Sequence, residues 1–224
     1  MILKVLDYLL YSFYPEKCIS CNKIIGVNEI FCKDCEFVHH NNYGQKIGDS
    51  FLPKIIYSVI YEDGIKNSIW KYKFRSHRYF VRPFSRLLFE IFDYYYKVED
   101  FDVIIPVPIT KKKLKERGYN HAGLLGLELS KLTGIPYYGD GLTKLRETNQ
   151  HQKTLTERSR NVKGAYEVSK KVDLSSKRVL LVDDIITTGY TMKNCARLIK
   201  KAGAKSVFGI TLASAGREPL AKYR

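Results

Sequence analysis

Residues 179–191 read VLLVDDIITTGYT, an apolar run that ends in two adjacent acidic residues and continues into threonines around one glycine. Four consecutive apolar residues followed by charge are typical of a strand that is buried on both faces. The next segment, TMKNCARLIKKAGA (191–204), has helical spacing and a glycine near its end. The stretch therefore predicts a strand, a short loop and a helix in succession, which is the repeating unit of a parallel α/β sheet.

The same alternation extends over the second half of the chain. Further strands are predicted in KIIYSVIYED (54–63), FDVIIPVP (101–108) and SVFGITLAS (206–214). A helix is predicted in YNHAGLLGLELSKLTG (119–134), and right-handed crossovers should join the strands. We therefore predict an α/β fold for residues 51–224, a parallel sheet with flanking helices. Residues 1–50 should hold an N-terminal helix, a small cysteine module and a linker at 37–50.

The two acidic residues, Asp183 and Asp184, stand at the carboxyl end of the predicted strand, where open α/β sheets bind ligands. Adjacent carboxylates suit neighbouring ribose hydroxyls, because each carboxylate can accept hydrogen bonds. Backbone N–H groups and hydroxyls at a helix start can ring a phosphate. The pattern predicts a ribose 5-phosphate site, with the hydroxyls on the aspartates and the phosphate on Thr187, Thr188, Gly189, Tyr190 and Thr191.

Other interpretations fit an acidic pair after an apolar strand. A Walker B pair that holds Mg²⁺ requires a G-x-x-x-x-G-K-[ST] loop, and the chain contains no such sequence. A phosphate-accepting aspartate cluster and a simple turn with a helix N-cap stay open as alternatives.

Four of the five cysteines form two C-x-x-C pairs, CISC and CKDC, separated by ten residues. Two such pairs can place four thiolates tetrahedrally around one metal ion, and the metal then stabilises a module too small to bury a core. We predict a structural Zn²⁺ site; disulfides or a redox C-x-x-C are the alternatives. The predicted zinc ligands are Cys18, Cys21, Cys32 and Cys35.

The chain carries 38 Lys and Arg against 23 Asp and Glu, a net charge of +15. Clustered basic residues predict a polyanionic partner, such as nucleic acid, a phosphorylated ligand or an anionic membrane surface, although a solvated basic surface is the alternative. Trp70 and Phe74 lie in one cluster and are expected in the core rather than as stacking platforms. Candidate contacts to DNA or phosphate are Lys73, Arg75, Lys111, Lys112 and Lys113.

No apolar run reaches the roughly 20 residues that a membrane-spanning helix requires. The N-terminal sequence MILKVLDYLLYSFYP is apolar, but Lys4 and Asp7 interrupt it. It predicts an amphipathic helix that packs on the body of the protein, with a membrane-surface helix as the alternative. We expect a cytoplasmic protein without a stable membrane span.

The 179–191 stretch resembles the phosphoribosyl-pyrophosphate (PRPP) signature of the type I phosphoribosyltransferases. Nearly the whole chain resembles the ComF family of competence proteins, which join a zinc ribbon to that fold. The wider resemblance rests on the cysteines and on two stretches, IIPVPITKKKLKERGYNHAG (104–123) and KLRETNQHQKTLTERSRNVKGAYEV (144–168). Tyr119 and His121 stand where the family commonly has Phe and Gln.

The resemblance implies roles for further residues around the PRPP loop. The pyrophosphate side would be formed by Pro106, Val107 and Pro108. The adjoining loop would consist of Arg117, Gly118 and Asn120. A flexible hood over the site would include Arg146, Thr148, Gln152, Arg158 and Asn161. Mg²⁺ would bridge the pyrophosphate and the ribose hydroxyls.

The function implied by the resemblance is that of a cytoplasmic factor in natural transformation. Such a factor would bind PRPP with Mg²⁺ and handle incoming single-stranded DNA, with a ComF-type helicase and a recombination mediator as partners. The alternative is a free-standing phosphoribosyltransferase of nucleobase salvage. A salvage enzyme would not ordinarily carry a four-cysteine ribbon, and the sequence shows no identifiable nucleobase pocket. Turnover of PRPP onto an acceptor is not predicted either way.

Overall fold

The computed structural model describes residues 15–27, 29–39, 42–74, 77–147 and 164–216. Their helices and strands, in chain order, are α1 (Lys33–His39), β1 (Gly44–Asp49), β2 (Leu52–Ile60), α2 (Asp63–Phe74), a 3₁₀ turn (Arg78–Phe80), α3 (Val81–Tyr95), a second 3₁₀ turn (Val98–Asp100), β3 (Val103–Pro106), α4 (Lys111–Arg117), α5 (His121–Thr133), β4 (Leu142–Lys144), β5 (Tyr166–Val168), β6 (Arg178–Ile186), α6 (Tyr190–Lys201) and β7 (Ser206–Ser214).

Five of these strands form one sheet in the order β1-β2-β7-β6-β3. The strands β2, β7, β6 and β3 are parallel, and β1 runs antiparallel along the outer side of β2. The short strands β4 and β5 form a separate antiparallel hairpin. The prediction of an α/β fold with a mostly parallel sheet is confirmed.

The strand β1 corrects the prediction of a linker over residues 37–50. Its sequence, GQKIGD, has no regular alternation of apolar and polar residues, so it carries no strand signal. The strand forms because its backbone pairs with the exposed edge of β2. Gly44 permits a close approach there, since an added Cβ would lie 2.6 Å from the hydroxyl of Tyr57.

Both faces of β6 are buried, as the apolar run predicts. Leu180 and Val182 pack with α3 and α5 in one core cluster, whereas Val179 and Leu181 pack with α6 and the β4–β5 hairpin in the other. All four side chains are completely buried. The sheet is therefore the middle layer of an α/β/α arrangement, and the two acidic residues of β6 lie beyond its buried stretch, towards the carboxyl end.

The chain changes direction across the sheet at β3, where open α/β sheets usually form a crevice. After α5, the chain forms a parallel bridge between Tyr137 and Ile104 of β3. The bridge lies on the side of β3 that faces away from β6. The chain then returns through the β4–β5 hairpin to β6, on the inner side of β3. The carboxyl ends of β3 and β6 consequently border a topological switch point, the usual ligand position in such sheets.

Helix α2 buries one face and exposes the other. Ile65, Ile69 and Tyr72 are fully buried, at the i, i+4, i+7 spacing of one helical face. Trp70 and Phe74 are 43% and 56% exposed. The prediction that both rings belong to the core is wrong. Trp70 follows buried Ile69, and Phe74 follows Lys73, whose side chain points inward. One residue rotates the helix by about 100°, so both rings turn away from the core.

The cysteine module packs on the same core as the sheet. Ile19, within the first cysteine pair, and Ile30, just before the second pair, are buried in the cluster that also contains Ile65 and Ile69. The hydroxyl of buried Ser68 donates a 2.5 Å hydrogen bond to the carbonyl of Ile19. The start of α2 therefore lies directly against the module.

The predicted N-terminal amphipathic helix falls largely on residues 1–14, which lie outside the described residues. Within the described ranges, no helix combines the length and the apolar character that crossing a membrane would require.

Candidate functional site

Asp183 and Asp184 lie near the carboxyl end of β6, beside the end of β3. Both carboxylates are half-buried, and the backbone N–H of Asp184 donates a 2.8 Å hydrogen bond to Oδ1 of Asp183. Burial, followed by the neighbouring charge of Asp184, raises the pKa of Asp183 to about 7. A substantial fraction of Asp183 is therefore protonated at neutral pH even beside the neighbouring lysines, and a further cation would favour its charged form.

Two lysines partly offset the charge of the acidic pair. Nζ of Lys73, from the last turn of α2, lies 2.8 Å from Oδ1 of Asp184, and the two side chains are only 18% and 13% exposed. Lys144, at the end of β4, lies close enough to Asp183 to lower the pKa of its carboxyl. Burial in turn lowers the pKa of Lys144. The structure thus places Lys73 inside the candidate site, away from solvent.

Lys144 was not among the predicted site residues. A single lysine in a three-residue strand forms no pattern, and only the folding of the hairpin onto the second face of the sheet brings it to Asp183. Lys73 was predicted only as a contact to DNA or phosphate, because its partner is distant in the sequence.

The threonine loop joins β6 to α6. Gly189 has a φ of +71°, in the left-handed region that favours glycine, and an added Cβ would lie 3.3 Å from Cδ1 of Ile186. Thr187 and Thr188 are exposed, and the N–H of Tyr190 donates a 3.4 Å hydrogen bond to the hydroxyl of Thr188. The loop therefore presents hydroxyls at the N-terminal end of α6, together with Tyr190 and the half-buried Thr191.

The Pro106-Val107-Pro108 turn lies next to the acidic pair. The N–H of Val107 donates a 2.8 Å hydrogen bond to the carbonyl of Val182, the residue before Asp183. Asn120 reaches back to the same turn, with its Nδ2 donating a 2.9 Å hydrogen bond to the carbonyl of Val107. The structure thus brings the turn and Asn120 together at the crevice.

Arg117 and Gly118 end the short helix α4. Gly118 caps the helix with a φ of +78°, and its N–H donates to the carbonyl of Leu114. The guanidinium of Arg117 lies 5.1 Å from the ring centre of Phe74. This contact joins the end of α4 to the exposed face of α2.

The three consecutive lysines 111–113 open α4 beside a cavity of about 370 Å³. Lys111 and Lys112 are exposed and line this cavity together with Lys144 and Arg146. Nζ of Lys113 lies 2.8 Å from Oε2 of Glu147, and Oε1 of the same carboxylate accepts a hydrogen bond from the hydroxyl of Thr110. The cavity is therefore strongly cationic, with one carboxylate at its wall.

Several predicted site residues lie outside the described residues. These are the possible surface contact Arg75 and the hood residues Thr148, Gln152, Arg158 and Asn161. Their roles stay predictions.

Three aromatic rings connect α2 to the start of α5. Tyr72 donates through its hydroxyl to the carbonyl of His121, while Tyr119 and Nε2 of His121 both donate to the carbonyl of Tyr72, at 2.9 to 3.0 Å. The His121 ring lies 4.8 Å from the rings of Tyr72 and Tyr119. This reciprocal bonding fixes the end of α2, and with it Lys73, against the site.

We expect His121 to make stability depend on pH. Burial lowers the pKa of His121 to about 4, whereas an unfolded histidine titrates near about 6.5. Between these values His121 gains the proton only in the unfolded chain, so its contribution to the free energy of unfolding should fall by up to roughly 3 kcal/mol as the pH decreases through this window.

The change His121→Gln keeps a donor for the carbonyl of Tyr72 and removes the titration. Urea unfolding of both proteins at about pH 7.5 and about pH 4.5 measures the difference. A loss of stability in the parent protein no larger than that in the variant would contradict the prediction.

The four cysteines of the module form one cluster. The Sγ atoms of Cys18, Cys21, Cys32 and Cys35 all lie within 4.8 Å of one another, and those of Cys21 and Cys32 are 3.6 Å apart. Sulfurs about 2.3 Å from a tetrahedral ion are separated by similar distances. None of these four, nor Cys195, forms a disulfide in the described structure. The cluster can therefore hold a metal ion.

Comparison with known proteins places the chain in a family. A family model described as the phosphoribosyl transferase domain matches residues 119–224, which include β6, the threonine loop and α6. Competence protein ComFC of Bacillus subtilis is 30% identical over 197 residues, covering 87% of this chain and 76% of that protein. The chain belongs to the ComF family.

Two further relatives extend this result. Competence protein F of Haemophilus influenzae is 27% identical to this ComF-family chain over 226 residues, covering 88% of the chain and 96% of that protein. DNA utilization protein YhgH of Shigella flexneri is 32% identical over 107 residues, covering 47% of the chain and 46% of that protein. The predicted ComF membership and the type I phosphoribosyltransferase-like fold with a four-cysteine cluster are confirmed.

Proposed function

We propose that this ComF-family protein binds PRPP with Mg²⁺ and handles incoming single-stranded DNA in the cytoplasm during natural transformation. The observation that carries the PRPP part is the geometry at the end of β6. There, two half-buried carboxylates lie next to an exposed threonine loop at the N-terminal end of α6.

Each part of PRPP has a matching group at this edge of the sheet. Asp183 and Asp184 can accept hydrogen bonds from the ribose hydroxyls, with Asp184 exchanging its contact with Lys73 for them. The threonine loop offers hydroxyls and N–H groups to the 5-phosphate. The pyrophosphate would meet the turn after β3 and the cations of Lys113 and Lys144, which would offset its charge.

The donor set at the site suits Mg²⁺. Carboxylate and phosphate oxygens are the ligands that this ion prefers, and both would be present once PRPP is bound. Mg²⁺ would supply charge neutralisation of the pyrophosphate, while the residues of this chain bind and orient the sugar phosphate.

Zinc is the metal proposed for the cysteine cluster. Four cysteine sulfurs in a compact set are the ligands of structural zinc sites, which need no open position for substrate. Zinc would therefore stabilise the module and take no part in chemistry at β6.

The DNA part of the proposal rests on the charge and on the relatives. A net charge of +15 favours a polyanionic partner, and the relatives' names concern competence and DNA utilization. A ComF-type helicase and a recombination mediator are the proposed protein partners.

Two binding measurements on the unaltered protein test the proposal. Calorimetry should detect PRPP binding that depends on Mg²⁺. The affinity for a single-stranded oligonucleotide should fall steeply with rising salt, because phosphate contacts release counterions. The absence of PRPP binding, or of oligonucleotide binding at low salt, would refute the corresponding half.

A turnover assay separates this function from nucleobase salvage. Pyrophosphate release from PRPP would be followed with each common free base, and with single-stranded DNA present or absent. Release that requires a free base would favour salvage, whereas no release with any free base would remove that alternative.

A further inference from the structure

Three exposed aromatic rings lie on α2 and on the 3₁₀ turn that contacts it. Trp70 and Phe74, on the outer side of α2, are 43% and 56% exposed, and Tyr79 in the following 3₁₀ turn is 61% exposed. We call these three rings the aromatic surface. Exposed apolar groups that adjoin one another, as Trp70 and Phe74 do, mark interaction sites more often than groups scattered singly.

The rings of the aromatic surface are interleaved with positive charge. The ring centres of Trp70 and Phe74 are 5.9 Å apart, and the guanidinium of Arg117 lies over Phe74. Arg78, which precedes Tyr79, is also exposed. No acidic residue occurs between residues 64 and 82 of the sequence. The surface therefore combines aromatic faces with cations and lacks acids from its own segment.

This surface adjoins the proposed PRPP site. Lys73 extends inward to Asp184, while its neighbour Phe74 faces outward. Arg117 ends α4, and the residues after it lead to Asn120, which donates a hydrogen bond to the turn after β3. A chain bound to the aromatic surface would thus pass the mouth of the crevice.

We infer that the aromatic surface is where single-stranded DNA binds, with bases stacked on Trp70, Phe74 and Tyr79 and with phosphates near Arg117 and Arg78. The inference rests on the DNA part of the proposed function and gives it a location. Stacking on aromatic side chains together with nearby cations is how proteins hold single strands without reading their sequence. If the rings instead served a protein partner or an anionic membrane, their removal would leave oligonucleotide binding unchanged.

The chain offers a direct probe, because Trp70 is its only tryptophan. Titration with an oligothymidylate of about 20 nucleotides at low salt should quench the tryptophan fluorescence, since a base stacked on the indole quenches its emission. In parallel, fluorescence anisotropy of a labelled oligonucleotide measures the affinity. Binding without any change in tryptophan emission would contradict the inference.

Two variants test the stacking independently. Phe74→Ala and Tyr79→Ala should each weaken oligonucleotide binding by about 5-fold to 100-fold, the loss expected for one stacked base. Tyr94→Ala is the matched control, because Tyr94 is 68% exposed but lies on α3. Circular dichroism melting should show that all three variants are folded.

The outcomes separate this inference from the proposed function. If the unaltered protein binds no oligonucleotide, the DNA part of the proposed function is wrong, and so is the assignment of the aromatic surface as the DNA-binding site. If it binds, and Phe74→Ala and Tyr79→Ala bind as tightly as Tyr94→Ala, DNA binds elsewhere and only the location is wrong. Loss of binding in the two surface variants but not in the control supports the location.

Discussion

Replacing Asp183 and Asp184 together with asparagine should reduce PRPP affinity by at least about 100-fold. Hydrogen bonds to charged groups contribute roughly 1.5–3 kcal/mol each, and two of them would lose their charge. The substitution also removes the partner of Lys73, whose ammonium would then repel the Mg²⁺ bound with PRPP. Calorimetry with PRPP and Mg²⁺ gives the measurement.

The matched control for this pair is Asp93→Asn, an exposed aspartate on α3. It changes the net charge in the same direction, by one unit per substituted aspartate, without touching the crevice. Equal PRPP affinity in the double variant and the control would show that the acidic pair does not hold the ribose. Unfolding curves should establish that the double variant keeps its fold, because asparagine preserves the shape of both side chains.

Losing the metal should unfold the cysteine module. We expect about one zinc ion per chain, and Cys18→Ser should abolish stoichiometric binding because serine does not replace a thiolate ligand. Structural zinc contributes an apparent 10–16 kcal/mol in isolated zinc-finger peptides, so roughly all of the module's folding depends on it. Metal analysis and thermal unfolding measure the two effects.

Cys195→Ala provides the control for the metal experiment. Cys195 is completely buried on α6, away from the cluster, so its removal should leave the zinc content unchanged even if it lowers stability. A Cys18→Ser protein with the zinc content of the control would refute the assignment of the cluster as a zinc site.

Patterns confined to one segment predicted the structure well. The apolar run before Asp183 gave a strand that is buried on both faces, and the cysteine spacing gave a compact cluster. Both depend on residues that are close in the sequence and on a single local geometry. The side to which a helix turns its aromatic rings is less constrained by the local sequence. Trp70 was therefore predicted in the core, although it is exposed.

Features that depend on pairing between distant segments were not predictable. The polar strand β1 forms only because the edge of β2 offers backbone partners. The contact of Lys73 with Asp184 requires α2 to end beside β6, and Lys144 reaches Asp183 only after the hairpin folds. Each is set by the tertiary arrangement, which no single stretch of sequence encodes.

Helix α2 touches the cysteine module at one end and the acidic pair at the other. At Gly64 an added Cβ would lie 2.4 Å from the carbonyl oxygen of Ser20, between the first two cysteines, and at the far end Lys73 contacts Asp184. A helix of 12 residues is about 18 Å long and resists bending. Metal occupancy and PRPP affinity should therefore be thermodynamically linked. Removing zinc should lower the affinity for PRPP, and bound PRPP should raise the affinity for zinc by the same factor.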